Sequence, residues 1–202
     1  IQMFLQNSWG KLVADDSLLP SPVPGTVHAR KIVIADFNAD GIPDAFIADH
    51  GYDQPPFPGA QPLLLLSRDG RFEARQIADL PAGFHHAASA ADINGDGAPD
   101  IFVTDTNSSA FLLLNDGSGN FTLTRQGIPS LRRGYYTAEL IDIDDDGDYD
   151  LLAGGHEHEG AATCLFWGDS SGTFSADRAA ILPAAGLATW NRTRRLTWQR
   201  LP

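Results

Sequence analysis

Asp36-Phe37-Asn38-Ala39-Asp40-Gly41-Ile42-Pro43-Asp44 returns as Asp92-Ile93-Asn94-Gly95-Asp96-Gly97-Ala98-Pro99-Asp100 and again as Asp142-Ile143-Asp144-Asp145-Asp146-Gly147-Asp148-Tyr149-Asp150. The shared pattern, D-x-[DN]-x-D-G-x-x-D, sets side-chain oxygens at positions 1, 3, 5 and 9, with glycine at position 6 where the chain must turn sharply. Such a set suits a hard cation that seeks six or more oxygens, and calcium is the expected occupant of all three sites. The candidate ligands are Asp36, Asn38, Asp40 and Asp44; Asp92, Asn94, Asp96 and Asp100; and Asp142, Asp144, Asp146 and Asp150. Position 7, which is Ile42, Ala98 or Asp148, completes each set. A helix-loop-helix calcium hand is disfavoured, because position 12 is Ile47, Val103 or Ala153 where that motif needs a bidentate glutamate. Asp, Asn and Gly are also ordinary turn residues, but three copies in register argue against plain solvated turns.

The charge inventory points the same way. The 202 residues carry 26 acidic and 14 basic side chains, a formal net charge of -12. Twelve of the acidic residues lie inside the three nine-residue loops, so the rest of the chain is balanced. Negative charge packed this densely opposes folding unless cations offset it, which makes bound metal a source of stability. The third loop, with Asp145 and Asp148 adding charge, is expected to bind most tightly.

Composition narrows the class. With 43% hydrophobic residues the chain can bury a substantial core and has no disordered signature. Its longest apolar runs, such as Leu63 to Leu66 and Ala110 to Leu114, are far too short to span a membrane as helices. Two lysines and twelve arginines, with a basic cluster only at Arg192 to Arg195, give no footprint for nucleic acid. Cys164 is the single cysteine, sits in the apolar stretch Cys164-Leu165-Phe166-Trp167, and reads as a buried inert thiol.

Aligned on the three loops, the chain shows a larger repeat. A short apolar run precedes each loop (Lys31 to Ala35, Ala87 to Ala91, Thr137 to Ile141) and another follows it (Asp44 to Ala48, Asp100 to Thr104, Asp150 to Gly154). Third runs at Pro62 to Leu66, Ala110 to Leu114 and Cys164 to Trp167 end in Asp/Gly-rich turns, and fourth runs open on Phe72, Phe121 and Phe174. Runs this short, bounded by Gly, Pro, Asn and Asp, are strands, and the continuous apolarity of the third marks it as buried on both faces. Four strands joined by tight turns make one antiparallel sheet. Such sheets cannot stand alone, and radial stacking of them gives a β-propeller.

The Asp36, Asp92 and Asp142 loops, with turn segments such as Leu112-Leu113-Leu114-Asn115-Asp116-Gly117-Ser118-Gly119-Asn120-Phe121, resemble the FG-GAP and VCBS repeat family, the blades of integrin-α-like propellers. The resemblance runs from about Val27 to Ala179. It implies an all-β propeller of four-stranded blades with bound calcium, while the family's partners are too varied to carry over. The expected division is 1–20 as the end of a preceding blade, 21–81, 82–129 and 130–183 as blades carrying the three calcium loops, and 184–202 as partial or closing strands. Two arrangements are open: a piece of a longer propeller, or a fourth, metal-free blade closed by both ends.

In an up-and-down blade the calcium loops share one face with the third-to-fourth turns. The opposite face collects every histidine, either entering the first strand (His28, His85, His86) or leaving the second (His50, His156, His158). Tyr52 and Glu157 join them, and a candidate ligand site is drawn from His50, Tyr52, His85, His86, His156, Glu157 and His158. His156-Glu157-His158 alternates along an extended chain, which would suit a transition-metal pair or a polyanion. The longer connection Asp49 to Gly59, with Tyr52 and Phe57 among prolines, offers the kind of aromatic platform on which sugars stack.

No nucleophile elbow, zinc-protease helix, phosphate loop or dinucleotide fingerprint is present. The expected protein is therefore a calcium-stabilised module of a secreted, cell-surface or periplasmic protein, acting in adhesion or in binding a glycan or extracellular protein. The scaffold of a polysaccharide-active enzyme, with His and Tyr as acid and base, and a structural spacer repeat are the alternatives.

Overall fold

The computed structural model describes residues 1–131, 134–156 and 160–182. Its described residues are built from strands, with one three-residue 3-10 turn at Ala176–Arg178. A two-stranded hairpin, β1 (Phe4–Gln6) and β2 (Leu12–Ala14), leads into three four-stranded antiparallel sheets. The first holds β3 (Ala29–Ala35), β4 (Asp44–Asp49), β5 (Leu63–Arg68) and β6 (Arg71–Arg75). The second holds β7 (His85–Ala91), β8 (Asp100–Asp105), β9 (Phe111–Asn115) and β10 (Phe121–Thr124). The third holds β11 (Tyr135–Ile141), β12 (Asp150–Gly155), β13 (Cys164–Phe166) and β14 (Ala179–Ile181). In each sheet the spatial order follows the chain order, the up-and-down path that short hairpin turns permit.

Burial follows the sequence pattern. The third strands β5, β9 and β13 are almost wholly buried, and β9, in the middle sheet, is covered by a neighbouring sheet on each side. One core cluster, with Phe37, Phe46, Leu64, Leu66, Ile101, Phe111 and Leu113, fills the space between the first and second sheets. A second, with Phe102, Leu112, Leu140, Leu151, Phe166 and Phe174, fills that between the second and third. The hairpin packs on the outer side of the first sheet, where buried Leu19 meets Ile47 and Leu65. Cys164 is buried, with its thiol directed at the Ala162 carbonyl.

The first strands draw together. Lys31 of β3 forms an ion pair with Glu139 of β11, and Ser89 of β7 donates its hydroxyl to the same carboxylate at 3.1 Å. Ser89 Oγ in turn accepts the Leu140 amide at 3.0 Å. One side chain from each sheet thus meets at Glu139, so the three sheets turn their first strands toward a common line. The ion pair is solvent-exposed and contributes about 1 kcal/mol at most; its value is as a marker of the arrangement.

Two features depart from the sequence reading. The fourth strand of the third repeat does not open on Phe174; it begins at Ala179 and pairs Cys164 with Ile181. Phe174 is instead buried in the core cluster, and its amide donates to the Gly127 carbonyl of the preceding repeat at 2.6 Å. That anchor bends the chain away from β13, and Ser175 caps the 3-10 turn that brings it back. The first strands also begin two residues earlier than expected, because each contains a β-bulge near its start. The possible closing strands at 184–202 lie outside the described residues. Among the described residues no helix is long and apolar enough to cross a membrane.

Candidate functional site

Each acidic loop joins the first strand of a sheet to the second, and all three adopt one conformation. The position 1 carboxylate accepts the amides of positions 5 and 6: Asp36 from Asp40 and Gly41, Asp92 from Asp96 and Gly97, Asp142 from Asp146 and Gly147, at 2.8 to 3.2 Å. The position 5 carboxylate accepts the position 7 amide in every copy, at 2.8 to 3.0 Å. These bonds require left-handed backbone at position 6, where Gly41, Gly97 and Gly147 have φ of 83°, 88° and 95°. Position 4 is left-handed too, and there Ala39 and Asp145 adopt a conformation that only Gly95 takes without cost.

The main-chain amides hold the carboxylates in one small volume. In the third loop, oxygens of Asp142, Asp144 and Asp146 lie within 4.8 Å of one another. The first two loops have asparagine at position 3, where Asn38 and Asn94 each accept the position 5 amide at 3.0 Å. Ser67, at the end of β5, adds a hydroxyl that donates to Asp40 at 3.0 Å.

Position 9 has a second job that sequence reasoning missed. Asp44, Asp100 and Asp150 are buried, at 1%, 0% and 2% exposure. Asp44 accepts the amides of Phe37 at 2.7 Å and Ser67 at 2.6 Å, stapling the loop to the end of the third strand. Asp150 does the same with Ile143 and Gly168. Asp100 accepts from Asn115 at 2.8 Å, while its Oδ2 has only the weakly aligned Ile93 amide as a partner among the described residues. Burial, followed by the charges of Asp96 and Asp92, pushes the Asp100 carboxyl up to about 6. Burial raises that of Asp150 as well. Each carboxylate oxygen keeps a second lone pair, so stapling leaves these residues able to ligate a cation.

The opposite end of the sheets gathers the histidines. His28 and His50 lie with ring centroids 5.4 Å apart, His50 and His86 4.3 Å, His86 and Tyr136 4.5 Å, and Tyr136 and His156 5.1 Å. Most meet edge to face, and Phe84 supports His50 at 4.2 Å. This row runs across all three sheets. Of the residues singled out from sequence, His50, His86 and His156 belong to it. His85 does not: it points the other way, fully buried, with Nδ1 3.2 Å from the Asp49 carbonyl and its ring against Phe111. Tyr52 is 58% exposed on the long connection, while Glu157 and His158 lie outside the described residues.

Burial, followed by the proximity of His50, lowers the His86 imidazole to about 4. Burial likewise lowers His50 and His85. These rings are neutral at pH 7. Beneath the row, Asp49 and Asp105 lock the strand ends as the position 9 aspartates do at the other end. Asp49 accepts the amides of Val27, His28 and Gly51; Asp105 accepts those of Phe84 and Asn107.

The row has a repeat logic that the sequence contained unnoticed. Arg30, His86 and Tyr136 each stand six residues before the first aspartate of their loop, and His50, Thr106 and His156 each stand fourteen after it. The former are the bulged residues of the first strands, skipped in the pairing between Ala29 and Lys31, His85 and Ala87, and Tyr135 and Thr137. A bulge re-aims its side chain. Three bulges in register aim one residue per repeat toward the same place.

Stacked four-stranded antiparallel sheets, each with an aspartate loop between its first and second strands, define an all-β repeat protein. A family model for the FG-GAP-like repeat matches residues 36–103 and again 92–153, which together cover more than half of the chain. The chain belongs to the FG-GAP-like repeat family. No curated protein sequence gives a significant match.

Proposed function

We propose that this chain is a calcium-binding β-propeller module of a secreted or cell-surface protein, whose task is adhesion through a glycan or extracellular protein. The observation that carries the calcium reading is the convergence of Asp142, Asp144 and Asp146 within 4.8 Å, in a loop conformation that recurs twice more. The residues fit the ion: their donors are all oxygen, and among the described residues the buried Asp100 Oδ2 has only the weakly aligned Ile93 amide beside it, with two further aspartates nearby. Calcium would be held by the side chains at positions 1, 3, 5 and 9 with position 7 completing the set. It would neutralise charge that otherwise pushes the first two strands of each sheet apart. The meeting of β3, β7 and β11 side chains at Glu139 supports the propeller, since radial packing brings innermost strands to one axis. Family membership and the calcium chemistry together favour a location outside the cell, where weak sites of roughly 10⁻⁴ to 10⁻³ M are filled.

Thermal unfolding of the 202-residue chain in calcium and in chelator tests this. With 10 mM calcium and Kd near 1 mM, each site adds about 1.4 kcal/mol and three add about 4 kcal/mol. At about 2–4 °C per kcal/mol for a chain of this size, Tm should rise by roughly 10 °C. A melt insensitive to chelator would remove the calcium reading.

A further inference from the structure

The row of rings opposite the acidic loops has no part in holding calcium, yet it is the other place where all three repeats converge. We propose that the bulged residues Arg30, His86 and Tyr136, with His50 and His156 beside them, form one binding site for an acidic sugar, a uronic-acid unit of a polysaccharide. This rests on the reading of the chain as a glycan-binding module, and supplies that module with a site and a ligand class.

The chemistry follows from the residues. Arg30 is exposed, has no ion pair among the described residues, and is close enough to disfavour the charged forms of both His50 and His86. An unpaired guanidinium presents a planar fork matched to a carboxylate. Among the described carboxylates around it, Asp49 is buried and spends its oxygens on three backbone amides, which leaves the exposed Asp53 as the free acid whose charge reaches the two histidines.

Neutral imidazoles each offer one donor and one acceptor, which suits sugar hydroxyls that are both. His86 Nδ1 lies 3.4 Å from both the Phe84 carbonyl and Thr106 Oγ1, two long contacts that leave Nε2 as the nitrogen to meet a ligand. For the sugar ring there are partly exposed aromatic faces: Tyr136 at 36% and, on the neighbouring connection, Phe57 at 48%, tilted against Phe84 at 6.2 Å. That connection is held closed at its neck, where a Cβ on Gly51 would come within 2.2 Å of the Gly59 carbonyl carbon, so the Phe57 ring is presented by a pinched loop. Aromatic stacking with polar groups at the ring edge is a physical means of holding sugars.

The test is calorimetric titration of the calcium-saturated chain with trigalacturonate, triglucuronate and neutral galactotriose, alongside a melt in calcium and in chelator. At least one uronate trisaccharide should bind at least tenfold more tightly than the neutral one. Arg30→Gln should abolish that preference, and Tyr136→Ala should weaken both classes of sugar about tenfold. Arg30 is exposed, so Arg30→Gln should melt like the parent; Tyr136→Ala loses a ring packed between His86 and His156 and is titrated below its own Tm. If either fails to fold, imidazole resonances of His50 and His86 in the unaltered chain should still move on adding uronate. Failure of every uronate to bind, equal binding of the neutral sugar, unmoved imidazole signals, or equally tight binding of triglutamate would each overturn the assignment. Loss of sugar binding with the calcium-induced Tm rise intact would fail this site alone; absence of that rise would fail the calcium reading.

Discussion

Asp44→Ala, measured in chelator, separates the two roles that position 9 of the loop combines. The Asp44 carboxylate accepts amides from Phe37 at 2.7 Å and Ser67 at 2.6 Å, and all three residues are buried. Truncation leaves two buried N–H groups without partners, each costing roughly 1–3 kcal/mol, so the loss is about 4 kcal/mol. For a chain of this length that lowers Tm by roughly 8–16 °C. None of this depends on metal. Asp40, exposed at position 5, gives the contrast: in chelator, Asp40→Ala should cost about 1 kcal/mol, the net worth of its bonds to the Ile42 amide and the Ser67 hydroxyl. Paired melts with and without calcium make the comparison. If Asp44→Ala unfolds within about 1 kcal/mol of the parent in chelator, or if the two variants are equal there, position 9 is not a staple and acts only through the ion.

Other consequences are open to direct measurement. Site-resolved calcium titration should fill the 142–150 loop first, because it has six acidic residues where the others have three; filling it last would refute the charge argument. His86 titrates at about 4 in the folded chain against about 6.5 unfolded. The unfolded chain therefore binds more protons between these values, and stability is fully present above pH 6.5 and lost as pH falls toward 4. Discounted for its partial exposure, the His86 share is about 1–2 kcal/mol. His86→Phe, which keeps a ring in place, should lose that much less stability between pH 7 and pH 4.5 in urea titrations, and an unchanged slope would count against it. Gly168→Ala should cost roughly 3 kcal/mol in chemical denaturation, since the new Cβ would lie 1.9 Å from the Tyr149 carbonyl oxygen of the third acidic loop; a neutral substitution would refute this.

The fold was legible in sequence because its determinants are local. Strand length, the buried third strand and the turn at position 6 are read from runs of four to nine residues, and each repeat confirms the others. The same locality explains the error at Phe174. Its resemblance to Phe72 and Phe121 suggested a strand, but burial against Leu112 and Phe166 and the bond to Gly127 claimed the residue for the core instead. Asp44, Asp100 and Asp150 looked like ligands and nothing more. That they also bind amides of the third strand depends on a partner that is 18 to 23 residues away in the first and third repeats and 15 away in the second, across a strand whose register no local pattern specifies.

What the sequence determined by itself is the acidic loop, its calcium chemistry as an expectation, and the succession of four strands that follows from it. Only the tertiary structure decided what stands beside what. His85 and His86 are adjacent in sequence, yet one is buried against Phe111 and the other sits between His50 and Tyr136. The bulge that separates them is a property of strand pairing. Likewise Lys31, Ser89 and Glu139 meet although more than a hundred residues separate the first from the last. Periodicity reports which face of a strand is buried, but the angle at which one sheet packs on the next, and hence which side chains converge, is set by the shapes of the two cores between them.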